Sequence, residues 1–407
     1  MKKVLFAICM LPIMAHGKSI VYNDNVKTLQ VVVNDDWLSP PVMKLYGDVL
    51  HVAFDELSHD YHRYICRLEH CEYDWTTSDD IFESDWLEGF NDTPIEDYVN
   101  SLNTTVLYTH YKLCIPNERC KLKMSGNYRL HIIDEENDEE AVCVEFRVVE
   151  PVMTVGLAVT TNTDIDVNKS HQQVAMTVRY NAVKVNNPEG QIKAIVMQNA
   201  REDNMKRNVR PNHIVNDGLR WEHNQSLIFD AGNEYHKFEV LDVTHPTLGI
   251  ERITWDGTNY QAYPFVSTPR LNYLYDEDAN GAFIVRNSDN IEIENTCDYV
   301  YVNYKLQPVQ PYEGADVVVD GQWTTGKDEY YRMTYHEEDR SYSARILQKQ
   351  GYYSYQFLLR DANGITHVLP EEGSFFETEN RYQAMVYFKG TGDRSWRLVG
   401  YQQTTFR

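Results

Sequence analysis

The spacing of apolar residues restricts this fold more than any other feature. Apolar and polar residues alternate at 48–54, 61–68, 145–149, 174–178 and 300–304, which is the period-two pattern of half-buried β-strands. β-Branched and aromatic residues dominate these segments, and the chain has 29 tyrosines. No long segment keeps the 3.6-residue apolar stripe of an amphipathic helix. We therefore predict an all-β fold of tandem immunoglobulin-like or early-set β-sandwiches.

Two short segments resemble each other and indicate related sandwiches near the two ends of the chain. Residues 126–132 (GNYRLHI) and 351–357 (GYYSYQF) both begin with glycine. In each segment, the large apolar residues at the third, fifth and seventh positions would share one face of a strand. The first strand-rich block ends at Glu150-Pro151. We predict β domains at 18–150, 151–290 and 291–407, joined without long linkers because no Pro/Ser/Gly-rich stretch separates them.

The first 17 residues have the pattern of a removable export signal. Lys2 and Lys3 precede an apolar run at 4–15, and Ala15-His16-Gly17 offers small residues for cleavage before Lys18. A buried strand or a membrane anchor is the alternative, but twelve residues are too few to span about 30 Å of hydrocarbon. Since no other segment is long and apolar enough, we expect an exported protein without direct membrane insertion.

The charge of the chain limits its partners. The net charge is −23 at pH 7, and loss of Lys2 and Lys3 makes it two units more negative. A strongly acidic chain is repelled by nucleic acid and by anionic membrane surfaces. The charge fits a basic partner surface, or solubility alone.

The cysteines permit disulfides, because six of the seven follow the signal segment. Cys114 and Cys120 bracket a predicted turn, so a local bridge between them is the preferred pairing. Cys66 with either Cys71 or Cys143 is a second option. The spacings do not match paired zinc knuckles. Cys297 stands alone and is expected to be a small buried apolar residue.

Motifs for catalysis are missing from the sequence, which has no nucleophile elbow, zinc-protease motif, phosphate loop or dinucleotide fingerprint. Residues 276–281 (DEDANG) resemble the start of a calcium loop, but Asn287 stands where the closing glutamate is needed. We interpret this segment as an acidic turn. The carboxylates at 134–140 lie between two strand patterns and indicate a solvated hairpin tip. We therefore predict no enzyme activity, no cofactor and no metal.

Aromatic residues concentrate in the last block at Trp323, Tyr330, Tyr331 and Tyr335. Exposed aromatics on a sandwich can stack on sugars or contact proteins, whereas buried ones belong to a core. We carry Trp323, Tyr330 and Tyr331 forward as a candidate contact surface. This block also resembles early-set modules that bind glycogen-like glucans, which gives the alternative of a carbohydrate-binding module. That likeness is at the level of fold, and fold does not imply function.

A resemblance to a known family extends over nearly the whole chain after the signal segment. Its ordered matches include HCEYDW at 70–75, LEGF at 87–90, PIEDY at 94–98, KMSGNY at 123–128, QGYYSYQ at 350–356 and FETEN at 376–380. The series resembles the type IX secretion system plug proteins of Bacteroidota. The resemblance implies a periplasmic protein, peripheral at the inner side of the outer membrane, that binds the translocon barrel and closes its idle pore. The family has no motif-defined active site, so no residue roles are transferred. Cys114 and Cys120 depart from the family pattern.

Overall fold

A computed structural model of the chain describes residues 18–407, so the predicted signal segment at 1–17 lies outside the described residues. The described chain is almost entirely β-strand, which confirms the all-β prediction. Its few helices are single turns. Strands with alternating burial account for most of the three cores.

The first sandwich packs two sheets face to face. Its strands are β1 (Ile20–Val21), β2 (Val26–Val33), β3 (Val42–Lys44), β4 (Leu50–Glu56), β5 (Tyr64–Cys71), β6 (Leu87–Gly89), β7 (Thr93–Pro94), β8 (Asp97–Asn100), β9 (Thr109–Ile115), β10 (Cys120–Leu122), β11 (Gly126–Asp134) and β12 (Glu139–Val149), with helix α1 (Glu83–Trp86) before β6. One sheet has the order β1-β12-β11-β5-β7, with β3 parallel to β12, and the other has the order β2-β4-β9-β8. Phe54, Leu130 and Phe146 are fully buried between them. Burial of such side chains stabilises a fold by about 1.5–3 kcal/mol each.

The second sandwich starts with strands that follow directly on the first. They are β13 (Thr154–Thr160), β14 (His171–Arg179), β15 (Ile192–Gln198), β16 (Lys206–Arg207), β17 (His213–Val215), β18 (Gly218–Trp221) and β19 (Ile228–Asp230), with helix α2 (Pro188–Gln191) before β15. One sheet has the order β13-β14-β18-β17, and β19 pairs with β14. Strands β15 and β16 belong to the opposite sheet.

The third sandwich is built around one long strand. Its strands are β20 (His236–Val240), β21 (Ile250–Trp255), β22 (Tyr260–Pro264), β23 (Phe283–Val285), β24 (Tyr299–Leu306), β25 (Ala315–Asp320), β26 (Thr334–His336), β27 (Ser341–Lys349), β28 (Gly351–Asp361) and β29 (Thr366–Val368), with helix α3 (Ile293–Thr296) before β24. Strand β28 pairs with β20, β23, β25 and β29, and the facing sheet has the order β21-β22-β24-β27-β26. Short 3₁₀ turns lie at Gln225–Leu227, Asp328–Tyr330 and Pro370–Glu372.

The last two strands, β30 (Asn380–Phe388) and β31 (Arg397–Phe406), return to the second sandwich. Strand β30 pairs with β15 from Ile192↔Phe388 to Gln198↔Tyr382 and completes the sheet β16-β15-β30-β31. The third sandwich is therefore inserted within the second. The predicted domains at 151–290 and 291–407 are wrong, because alternation identifies a strand but does not identify its partner.

The pattern shared by 126–132 and 351–357 holds in three dimensions. It lies at the start of β11 in one core and of β28 in another, and its large apolar residues are buried on one face in both. Gly351 is required by close packing, since a Cβ there would lie 2.3 Å from the carbonyl oxygen of Ile284. The two segments therefore have the same local arrangement in two different sandwiches.

Candidate functional site: a buried polar junction and an exposed strap

A charged cluster is buried where the first sandwich meets the third. Asp55 and His110 are cross-strand partners on β4 and β9, on the face turned away from the first core. Tyr299 and Lys349 are cross-strand partners on β24 and β27. The two pairs face each other across the junction, and we call these four residues the junction cluster. All four are almost completely buried.

The carboxylate of Asp55 is the centre of the junction cluster. Its Oδ1 lies 2.6 Å from His110 Nδ1, while its Oδ2 accepts hydrogen bonds from Lys349 Nζ at 2.8 Å and from the Tyr299 hydroxyl at 2.6 Å. Burial raises the pKa of the Asp55 carboxyl, but the charge of Lys349 and the hydrogen bond from His110 outweigh it and hold the pKa below its usual range. Lys349 Nζ also lies 4.1 Å from the centre of the Tyr108 ring. The charges are thus paired rather than free for chemistry.

Further hydrogen bonds join the first and third sandwiches beside the junction cluster. The Asp298 carboxylate accepts from the backbone N–H and the hydroxyl of Thr105, at 2.8 and 2.7 Å. The Tyr108 hydroxyl donates to the carbonyl of Cys297 at 2.8 Å. A cavity next to the junction has a volume of about 50 Å³ and is lined in part by Lys27 and Gln348. Small-molecule pockets usually measure about 300–1,000 Å³, so this cavity is smaller than a typical small-molecule site.

The candidate aromatic surface is largely interior. Trp323 is only 8% exposed, and its Nε1 donates to the carbonyl of Ser354 at 3.1 Å. Tyr331 packs against the third core, and its hydroxyl accepts from the N–H of Gly326 at 3.0 Å. Only Tyr330, at 40% exposure, faces solvent. The predicted contact surface is therefore wrong at Trp323, which is buried. Without this tryptophan, the carbohydrate-binding alternative has no aromatic platform for stacking on a sugar.

The predicted Cys114–Cys120 disulfide is absent, and every cysteine within residues 18–407 is a free thiol. Cys120 is buried in the first core. Cys114 is partly exposed, and its Sγ lies 3.2 Å from His51 Nδ1. The alternatives with Cys66 fail as well, since Cys66 is a free thiol whose Sγ lies 2.9 Å from Thr93 Oγ1. The two thiols of the preferred pair therefore lie in different environments.

The acidic segment at 276–281 does not converge on one point. Asp276 pairs with Lys237, whereas Asp278 is half-buried and accepts hydrogen bonds from the backbone N–H groups of Tyr235 and Asn280. Burial raises the pKa of Asp278 to about 7. Because the two carboxylates have different partners, the segment fits the predicted acidic turn better than a calcium loop.

An irregular segment at 265–282 crosses from β22 to β23, and we call it the strap. Polar contacts fix its inner side: Arg270 Nη2 lies 2.6 Å from Glu372 Oε2, and the Tyr273 hydroxyl donates to Glu234 Oε1 at 2.7 Å. Its outer side carries Leu271 and Leu274, which are 76% and 80% exposed. The remaining exposed apolar residues of the strap are Phe265, Val266 and Tyr275. Apolar side chains concentrated on an exposed, anchored segment are typical of a protein-docking surface.

Sequence reasoning missed both features for identifiable reasons. Asp55, His110 and Lys349 stand in strand segments as ordinary polar residues, and nothing in their spacing marks them as buried. The strap has a weak signal, since its apolar residues interrupt the alternation between two strands. This interruption identifies the apolar residues as exposed only when the positions of β22 and β23 in the fold are known.

Two comparisons with known proteins found clear similarity. The family model for the first domain of type 9 secretion system plug proteins matches residues 26–150. The crystal structure of a hypothetical protein from Parabacteroides merdae is 33% identical, with a TM-score of 0.92, over 96% of this chain and 99% of that chain. No curated protein matches the chain. Among residues 18–407, no helix has the length and apolar character needed to cross a bilayer.

Other solved structures have far weaker similarity. The C-terminal domain of the antigen I/II-family protein AspA from Streptococcus pyogenes is 9% identical, with a TM-score of 0.17, over 94% of this chain and 99% of that chain. A partial N-terminal region of an enterococcal surface protein is 8% identical, with a TM-score of 0.20, over 95% of each chain. Similarity at this level supports no conclusion about this chain.

Proposed function

This chain belongs to the type IX secretion system plug protein family, and from this premise we propose that it binds the outer-membrane translocon barrel of that system. It acts in the periplasm, peripheral at the inner side of the outer membrane, and closes the pore when no substrate is passing. The observation that carries the proposal is the family match over the first sandwich, together with a 33% identical relative over nearly the full length.

A non-catalytic role fits the construction of the molecule. A plug needs a shape-matched surface and reversible docking, and neither requires a reacting group. It also needs a shape that does not change under load. The junction cluster and the insertion of the third sandwich into the second both tie the domains together. These features support a rigid body that docks as one unit.

The strap is the docking surface that we assign to the barrel. Its exposed leucines would bury apolar area on contact, and removal of apolar area from water favours association by roughly 25 cal/mol per Å². The polar contacts at Arg270 and Tyr273 hold the segment before it docks, which lowers the entropy lost on binding. The carboxylates of Asp276 and Glu277 at its end would favour a barrel rim that carries basic residues.

The test is co-purification of the barrel with tagged protein from cells. The wild-type chain is expected to recover the translocon barrel. The double variant Leu271→Asp/Leu274→Asp is expected to recover at least about tenfold less, because a loss of 1.4 kcal/mol already corresponds to that factor. Both side chains are exposed, so the fold is retained.

A matched control tests whether the loss is specific to the strap. Ile165 and Val167 are an exposed apolar pair on a loop of the second sandwich, outside the strap. The variant Ile165→Asp/Val167→Asp is expected to recover the barrel like the wild type. Recovery of no barrel by the wild-type chain would contradict the proposed function. Equal recovery by both double variants would leave the function intact and reject the strap as its docking surface.

A further inference from the structure

Three metal-ligating side chains lie together on the outer face of the first sandwich. His131 on β11 and Cys143 on β12 are direct cross-strand partners, and Glu140 lies on the same hairpin. One ligand atom from each residue lies within 4.8 Å of the other two. His131 Nδ1 is 2.6 Å from Glu140 Oε1. The strand residues on either side, Leu130 and Val144 among them, point into the core, so His131 and Cys143 share the opposite face. A register shift between Ile132 and Ile133 brings Glu140 within reach of them.

The chemical identity of this set indicates the class of ion. Imidazole nitrogen, thiolate sulfur and carboxylate oxygen are the ligands that zinc takes in proteins, whereas calcium and magnesium take oxygen ligands. Three protein ligands leave one tetrahedral position for water or for a fourth group. We propose that His131, Glu140 and Cys143 bind a divalent ion of the zinc class.

The second nitrogen of His131 faces a carboxylate at ion-pair distance. Its Nε2 lies 3.6 Å from Glu69 Oε2, on the side of the ring opposite to Glu140. Metal-binding histidines almost always donate their other N–H to a carboxylate or a carbonyl, which fixes the ring. Glu69 is itself held, since its Oε1 accepts from the Thr77 hydroxyl at 2.9 Å. The carboxylate of Glu69 is thus a positioning group for His131.

The guanidinium of Arg129 does not occupy the proposed metal site. Arg129 is the next residue on the same face of β11, and its Nε donates to Glu145 Oε1 at 3.0 Å. Its Nη1 lies 3.5 Å from Glu69. The carboxylates of Glu145 and Glu69 thus pair with the guanidinium of Arg129. The carboxylate of Glu140 and the thiol of Cys143 are left to bind an ion. Binding releases the thiol proton, because the thiolate is the ligand.

An entry path leads to the site from solvent. Cys143 is buried, but Glu140 is partly exposed and lines an open cleft together with Asp24, Asp134 and Glu139. Clefts lined by carboxylates raise the local concentration of cations. Lys327 is the one positive side chain along this cleft. Glu140 thus connects the proposed site to an acidic cleft.

The test uses the full chain after signal removal, freed of any histidine tag and titrated with Co²⁺. A thiolate ligand gives a sulfur-to-cobalt charge-transfer band in the near ultraviolet. The wild type is expected to show this band at one Co²⁺ per chain, and Zn²⁺ is expected to displace the cobalt. Cys143→Ser is expected to abolish the band. Glu69→Gln is expected to keep the band and to weaken binding by roughly 10–100-fold, the usual effect of removing a group that orients a ligand.

Cys114→Ser is the matched control, because Cys114 also lies beside a histidine but has no carboxylate with it. It is expected to bind Co²⁺ like the wild type. Glu140→Gln, on a partly exposed residue, removes a ligand without touching the core and is expected to weaken binding at least about tenfold. The proposal is overturned if the wild type shows no band, if Cys143→Ser keeps it, or if Glu140→Gln binds like the wild type. Since the readout is metal binding, it is independent of the plug role.

Discussion

Replacing Lys349 by methionine is expected to lower the free energy of unfolding by about 3–5 kcal/mol. Lys349 and Asp55 are both 1% exposed, and their charges lie 2.8 Å apart. Without the lysine, the Asp55 carboxylate stays in the interior with only the hydrogen bonds from His110 and Tyr299. A buried charge that loses its partner costs far more than an exposed one. Urea unfolding followed by tryptophan fluorescence measures the change.

Two comparisons show whether the pairing is the cause. Lys305→Met removes a partly exposed lysine that bonds Asp339 at 2.6 Å, and exposed pairs contribute about 0–1 kcal/mol. The double variant Asp55→Asn/Lys349→Met is expected to be more stable than Lys349→Met, because no unpaired charge remains. A Lys349→Met chain within 1 kcal/mol of Lys305→Met would contradict the account of the junction.

The same cluster sets the response to acid. The pKa of Asp55 is depressed in the folded chain, so its contribution to stability is present above its unfolded pKa of about 3.9. That contribution is lost as the pH falls through the folded pKa. Asp55→Asn is therefore expected to lose less stability than the wild type on acidification below about pH 4. Unfolding curves at several pH values measure this difference.

The segment 233–374 is expected to fold on its own, whereas the segment 291–407 is not. The segment 233–374 contains all ten strands of the third sandwich and its whole core, from Phe238 to Leu369. The segment 291–407 lacks β20 to β23. It also carries β30 and β31, whose buried Tyr382 and Val386 would lose the partners β15 and β14. Lys349 would face water in either segment and need no partner.

Thermal unfolding and limited proteolysis of the two segments test the insertion directly. The segment 233–374 is expected to unfold cooperatively and to resist protease, while 291–407 is expected to be cleaved rapidly and to show no transition. Folding of 291–407 together with failure of 233–374 would support the boundaries predicted from sequence and contradict the inserted arrangement.

The strands were largely predictable, and their long-range partners were not. Alternation identifies β5 and β24 because burial alternates along each strand. The pairing of β15 with β30 joins residues far apart in sequence, and nothing local in either strand selects the other. The junction cluster is hidden for the same reason. Asp55 and Lys349 are 294 positions apart, and only the docking of two complete sandwiches makes them neighbours.

The candidate site residues show which signals mislead. Trp323 lies in a cluster of aromatics, but residue type does not tell an exposed platform from a core. A turn between Cys114 and Cys120 is compatible with a disulfide without bringing the two thiols together. The lack of zinc-knuckle spacing excludes only that one kind of metal site. The register of β11 and β12 brings residues 131, 140 and 143 into reach of each other, and that register is not visible in the spacing.

The central claim is that this chain closes an idle secretion pore, and outer-membrane permeability measures it most directly. We expect a deletion strain to admit a large hydrophilic dye that intact cells exclude, and the wild-type gene supplied in trans to restore exclusion. The Leu271→Asp/Leu274→Asp gene is expected to fail where the Ile165→Asp/Val167→Asp gene succeeds. A deletion strain that excludes the dye as well as the parent does would contradict the claim.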